Sequence, residues 1–204
     1  MTLAVKGSAC TIVYLHGFRS APASVKAQQL RAAVDRLPWD YRPTLHIPAL
    51  YHGPARAMAE VSAWVDARAD NSRLTFVGSS LGGFYATWLA ERYAARAVLI
   101  NPSVRPFDDL AAWMGVQTNL YTGEVFEVTD AHFAELHALY VDRLTDLSRY
   151  FLLVQSGDEM LDWRTAVPRY AGGWQYIEGG GDHAYAGFDR RIPEILRFAG
   201  VTTE

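Results

Sequence analysis

The sequence predicts an α/β fold: a doubly wound, mostly parallel sheet of about six strands. Two observations carry this expectation. Short apolar runs alternate with longer amphipathic ones along the whole chain. The apolar runs are rich in β-branched and aromatic residues and alternate little with polar ones, the pattern of strands buried on both faces. A third observation bounds it: 204 residues, 50% hydrophobic and 20% charged, suit one domain with a sizeable core.

The elements follow in order. Thr11–Leu15 (TIVYL) is the first strand, and Ala23–Asp35 is a helix whose first turn suits Pro22. Thr44–Leu50 (TLHIPAL) reads as a strand with a defect, because Pro48 cannot donate to a ladder. Pro54 opens a helix expected to run to Ala69. Leu74–Val77 (LTFV) is a strand, and the helix Leu81–Tyr93 starts almost at once. Ala97–Ile100 (AVLI) is the next strand. About fifty residues then intervene before Phe151–Gln155 (FLLVQ), far more than the usual connection in such folds. Within them, Asp130–Leu147 places Phe133, Leu136, Tyr140, Leu144 and Leu147 on one helical face. Trp174–Ile177 and a helix over Phe188–Phe198 end the chain. The expectation is a single domain over 1–204, with 101–150 inserted as a short helical cap.

The bulk numbers exclude several function classes. A net charge of -3 argues against nucleic acid or an anionic membrane as the main partner. One cysteine, Cys10, allows no intrachain disulfide. The apolar stretch before Lys6 is too short for a signal-peptide core, and Gly7 stands where a lipidation motif would place a leucine-like residue. No run is long enough to span a bilayer. A cytoplasmic, soluble protein is expected; the oligomeric state is not legible.

The chemistry is concentrated where Leu74–Val77 meets the next helix. Gly78-Ser79-Ser80-Leu81-Gly82 fits Gly-x-Ser-x-Gly, with Ser80 as the central serine. So sharp a turn strains its central residue, needs neighbours without side chains, and exposes the hydroxyl at a helix N-terminus. Serine needs a base to become a nucleophile. Of six histidines, His183 lies in the glycine-rich EGGGDHAYAGF, after the last strand, where the carboxyl ends of parallel strands place their sites. The histidine needs an acid to fix its tautomer. The stretch after the penultimate strand offers Asp158, Glu159 and Asp162. Asp158 is favoured because it follows the strand first, behind Gly157, and Asp162 is its alternative as acid or as the cap of a helix starting near Trp163. Oxyanion donors are expected from the Leu81 N–H and, in the loop YLHGFRSAP, from the Phe18 N–H. His16 reads as a brace of that loop, with a direct substrate role as its alternative. Arg105 either pairs with a local carboxylate or meets an anionic substrate group. Trp113, Met114, Tyr121 and Phe126 are candidates to wall a substrate pocket. No metal or cofactor is expected. His132 and His137 lie five apart and share no helical face, and Gly179–Gly181 lacks the Lys-Ser/Thr partner of a phosphate loop.

The chain resembles the α/β-hydrolase superfamily and, within it, the YqiA-like small esterases. The resemblance rests on YLHGFRSAPASVKAQ, VGSSLGGFYATWLAER, NPSVRPF, YTGE, QSGDEMLDWRTAV and GGGDHAYAGFDRRIPEILRF, which extend in order over nearly the whole chain. It implies a cofactor-free serine esterase of the bacterial cytoplasm acting on short acyl esters or thioesters. It implies Ser80, Asp158 and His183 as triad, a sheet order of 2-1-3-4-5-6, and no N-terminal hairpin. The expected activity is therefore hydrolysis of a small acyl ester. An acyl-CoA or acyl-carrier thioesterase on the same residues is the first alternative, and a non-catalytic binding protein of the same fold is the second.

Overall fold

The structure is a computed structural model that describes residues 10–68, 70, 73–109 and 111–201. Ala69 and the N-terminal reading of residues 1–9 lie outside these, but the helix expected to run from Pro54 to Ala69 already ends at Asp66. Six strands form one parallel sheet: β1 (Thr11–Leu15), β2 (Thr44–His46), β3 (Leu74–Ser79), β4 (Arg96–Ile100), β7 (Tyr150–Gln155) and β8 (Trp174–Glu178). Their order is β2-β1-β3-β4-β7-β8, the order expected. Every residue of β1, β3 and β7 is buried, because helices cover both faces.

The helices divide the core in two. Ala27, Leu30 and Val34 of α1 (Val25–Asp35) and Ile192, Ile195 and Leu196 of α7 (Ile192–Phe198) pack one face. The other is packed by α2 (Pro54–Asp66), α3 (Leu81–Tyr93), Leu136 of α5 (Asp130–Ala138), and Ala166 of α6 (Trp163–Arg169). Among the described residues no helix is long and apolar enough to cross a membrane.

Three further elements depart from expectation. The strand expected over Thr44–Leu50 stops at His46, two residues before Pro48. The helix expected over Asp130–Leu147 ends at Ala138. Beyond it, tertiary partners take the backbone groups that a helix would use: Arg169 donates to the Val141 carbonyl, and the Glu91 carboxylate accepts from the Thr145 N–H. Leu136, Tyr140 and Leu144 still pack on the core, so the apolar stripe continues beyond the end of the helix. The run from Phe188 splits into a 3₁₀ turn, Phe188–Arg191, and α7.

The 101–150 segment is also more than helix. It holds the short α4 (Pro106–Asp109), a 3₁₀ turn at Ala111–Trp113, and an antiparallel hairpin that the sequence reading missed. The hairpin pairs β5 (Gly115–Thr118) with β6 (Val125–Val128) and turns on Asn119, whose side chain accepts from the Tyr121 and Thr122 N–H groups. It is tied to the loop after β1: Arg19 Nε donates to Thr118 O at 2.9 Å, Leu120 N to Arg19 O at 2.9 Å, and Asn119 Nδ2 to Ser20 O at 2.8 Å.

Candidate active site

The β3–α3 turn is as tight as its sequence demanded. Ser80 has φ 56° and ψ -123°, a left-handed-side conformation that costs a non-glycine residue about 1–3 kcal/mol. The turn closes only because its flanking residues lack side chains. A Cβ on Gly78 would lie 2.0 Å from the Gly82 carbonyl oxygen, and one on Gly82 would lie 2.0 Å from that of Leu15. Ser80 N donates to Ile100 O at 3.0 Å, and Ser80 O accepts from Gly83 N at 2.9 Å and Ser103 N at 3.1 Å. The residue is therefore fixed by backbone on all sides while its hydroxyl stands free of the helix.

Ser80 Oγ lies 3.1 Å from His183 Nε2. His183 Nδ1 lies 2.9 Å from Asp158 Oδ2 and 3.0 Å from Oδ1. The carboxylate can only accept, so the proton belongs on Nδ1, and Nε2 is left as acceptor for the serine hydroxyl. Asp158 is 2% exposed at its side chain. That burial works against its charge, but hydrogen bonds from His183 and from the Leu161 and Met160 N–H groups outweigh it and hold the carboxyl below its ordinary value. Asp162 does not join this group. It sits at the N-cap of α6 and accepts from Arg164 N at 3.0 Å. Glu159 accepts from His183 N at 3.0 Å.

The loop after β1 lies against the serine. A Cβ on Gly17 would be 3.6 Å from Ser80 Oγ, so the Gly17–Phe18 backbone borders the hydroxyl. The Leu81 N–H is among the first of α3, which have no intrahelical acceptor. His16 is buried and braces this loop, because its Nε2 accepts from Leu50 N at 3.2 Å while Nδ1 faces Gly17 O at 3.1 Å. Burial pushes its pKa down, which suits the neutral ring that this pairing requires. Arg105 is taken by Asp108 at 2.5 Å.

These groups open into a cavity of about 690 Å³ lined by Ser80, His183, Phe18, Trp113, Tyr121 and Leu161 among others. Two of the four expected pocket residues, Trp113 and Tyr121, line it. Met114 and Phe126 do not. Met114 is 46% exposed, and Phe126 packs behind the wall, edge-on to Phe18 and stacked on His52. Sequence reading missed Lys26, Asn101 and Gln155 around His183. The polar ends of two buried strands, AVLIN and FLLVQ, were the available signal for the last two. Among the described residues no three His, Cys, Asp or Glu side chains cluster as metal ligands. His132 instead contacts His52 at 3.1 Å, and His137 stacks on Phe107.

The six-stranded parallel sheet, the serine turn after β3 and the helices on both faces define an α/β-hydrolase fold. Solved structures with this fold align over most of the chain. The mouse alpha/beta hydrolase domain-containing protein 10 matches at 15% identity and TM-score 0.72, covering 96% of this chain and 91% of its own. A putative hydrolase from Agrobacterium vitis S4 matches at 18% and 0.71, covering 94% and 88%. The esterase domain of a Rhodothermus marinus protein matches at 16% and 0.62, covering 92% and 85%. Within that fold the chain belongs to the uncharacterised protein family UPF0227, whose model matches residues 11–200.

Proposed function

We propose that this chain is a serine carboxylic-ester hydrolase acting on small acyl esters. The observation that carries the reading is the unbroken relay Ser80 Oγ–His183 Nε2 at 3.1 Å and His183 Nδ1–Asp158 Oδ2 at 2.9 Å. His183 takes the serine proton as Oγ attacks the acyl carbonyl. The Leu81 and Phe18 N–H groups receive the developing oxyanion. His183 then returns the proton to the leaving alkoxide, and the acyl group stays on Ser80. Water, deprotonated by His183, releases the acid and restores the serine. Asp158 stays ionised throughout and stabilises the imidazolium.

The 101–150 segment serves as a cap. Its hairpin is anchored to Arg19 and Ser20, beside the Phe18 N–H, and Trp113 and Tyr121 close the cavity from that side. Within about 690 Å³ an acyl chain of roughly two to six carbons and its alcohol fit together. The esterase domain among the structural neighbours agrees with this chemistry.

Ser80→Ala tests the reading. It should abolish turnover of a p-nitrophenyl butyrate-type ester and labelling by a fluorophosphonate, while Ser79→Ala keeps a substantial part of both. Wild-type labelling rates in Ser80→Ala would overturn it. An acyl series from acetyl to palmitoyl, run beside matched thioesters, checks substrate class. kcat/KM should fall beyond six carbons or so, although each buried methylene can contribute about 0.8 kcal/mol, and a steady rise to palmitoyl contradicts the short-acyl assignment.

A further inference from the structure

The His183 loop has no ladder or helix of its own to hold it. Gly180 and Gly181 both have φ 75°, Gly187 has 73°, and even Tyr185 sits at 63°. A chain of this composition is intrinsically permissive. Yet His183 must meet Ser80 Oγ on one side and Asp158 on the other.

Side chains from elsewhere hold the loop backbone. Gln155, at the end of β7, accepts from Asp182 N at 3.1 Å through Oε1 and donates to Ala186 O at 2.8 Å through Nε2. Asn101, just past β4, donates through Nδ2 to Asp182 O at 2.9 Å and His183 O at 3.2 Å, while its Oδ1 accepts from Gln155 N at 3.0 Å. Lys26 of α1 donates to Ala184 O at 2.8 Å, and Glu159 receives His183 N at 3.0 Å. Each amide uses oxygen and nitrogen on opposite partners, so its orientation is determined.

Asn101 and Gln155 are 2% and 1% exposed, and a buried amide is tolerated only where it is bonded on both ends. Asn101 itself has φ 40°, a conformation asparagine adopts more readily than most residues. Its place in the chain is the decisive point. Ile100 O holds Ser80 N, and the next residue, Asn101, holds His183. One strand end therefore sets the gap between nucleophile and base.

We propose that Asn101 and Gln155 are positioning residues, an amide clamp that fixes His183 Nε2 against Ser80 Oγ, with Lys26 as its outer tie. The proposal rests on the esterase reading for its kinetic arm. Its spectroscopic arm does not.

The test uses the full chain with Asn101→Ala, Gln155→Met and the partly exposed Lys26→Met. Four quantities are read: kcat, KM, thermal midpoint, and the downfield proton NMR signal of the His183 Nδ1–H bonded to Asp158. A misplacement on the scale of an ångström costs on the order of a hundredfold. Asn101→Ala and Gln155→Met should therefore lose about ten- to a hundredfold in kcat while KM stays within about threefold. The Nδ1–H signal should broaden or vanish in both. Lys26→Met should lose less than tenfold and weaken the signal. If the clamp variants do not fold, Lys26→Met decides, and a wild-type kcat with an unchanged signal there overturns the proposal. Folded Asn101→Ala and Gln155→Met with wild-type kcat and a sharp signal overturn it as well. A wild-type protein that turns over no ester refutes the esterase reading alone, because the NMR signal still reports the clamp.

Discussion

Ser80 stands on backbone packed against backbone, whereas His183 hangs from a loop held largely by side chains, with one backbone bond from Gly157 N to Gly180 O. The serine turn is specified by steric exclusion, since the glycines at 78 and 82 let the β3–α3 turn come within van der Waals reach of itself and of β1. Around His183 the same accuracy comes from hydrogen bonds that cross from α1, β4, β7 and the loop after β7. A packed turn tolerates no added atom but loses little when a distant polar group is removed. A bonded loop loses accuracy whenever one bond is cut, even where no atom is added. The two arms should therefore fail differently.

The largest effect is expected on the histidine side. Asp158→Asn keeps the shape of the acid but removes the acceptor that fixes the imidazole tautomer, a change that costs about ten-thousandfold in kcat in a well-studied protease triad. The variant should fold and should lose most of its kcat. Asp162→Asn, a few residues away, keeps an oxygen that can accept from Arg164 N, because asparagine caps a helix about as well as aspartate, so it should barely change stability and should keep kcat within roughly tenfold. An active Asp158→Asn beside a folded but inactive Asp162→Asn would reverse the assignment of the acid.

Glycine substitutions come next. Gly82→Ala drives a methyl to 2.0 Å from Leu15 O, and both elements are buried, so neither can yield. Overpacking of this kind costs about 1–3 kcal/mol or more, and a clear drop in thermal midpoint is expected. Gly179→Ala meets nothing within 4 Å and should change stability by less than about 0.5 kcal/mol. Equal midpoints for the two variants would mean that the serine turn has room for a methyl after all.

The smallest effect is a pH dependence. The Asp158 carboxyl is depressed in the folded state, so the stability it contributes is present above its unfolded value of about 3.9 and is lost as pH falls through the lower folded value. The stability difference between wild type and Asp158→Asn, measured by urea unfolding, should be larger at pH 6 than at pH 3. A difference that does not change with pH would mean that the carboxylate gains nothing from its partners.

Much of this was legible in the residues themselves. Gly-x-Ser-x-Gly between an apolar run and an amphipathic one marked the position of Ser80, because a strand-to-helix turn this tight admits no side chain two residues before or after the serine. Strand periodicity and β-branched content located all six strands of the sheet to within a few residues. Asp162 as a cap was readable because capping depends on neighbours two or three residues away.

Contacts distant in sequence decided the rest. The helix from Asp130 stops at Ala138 because Glu91 and Arg169 capture the backbone beyond it, and no local pattern encodes that competition. The hairpin at 115–128 is held to Arg19 and Ser20, about a hundred residues upstream, so its short strands carried too little signal of their own. Phe126 and Met114 looked like pocket residues by type, but the hairpin turns the first behind Phe18 and the second toward solvent. Asn101 and Gln155 meet the His183 loop only once β4 and β7 lie side by side. Sequence alone specifies local geometry, because φ/ψ limits and periodicity act over a few residues. Which side chain reaches which loop is settled only when the folded sheet brings distant strand ends to one edge.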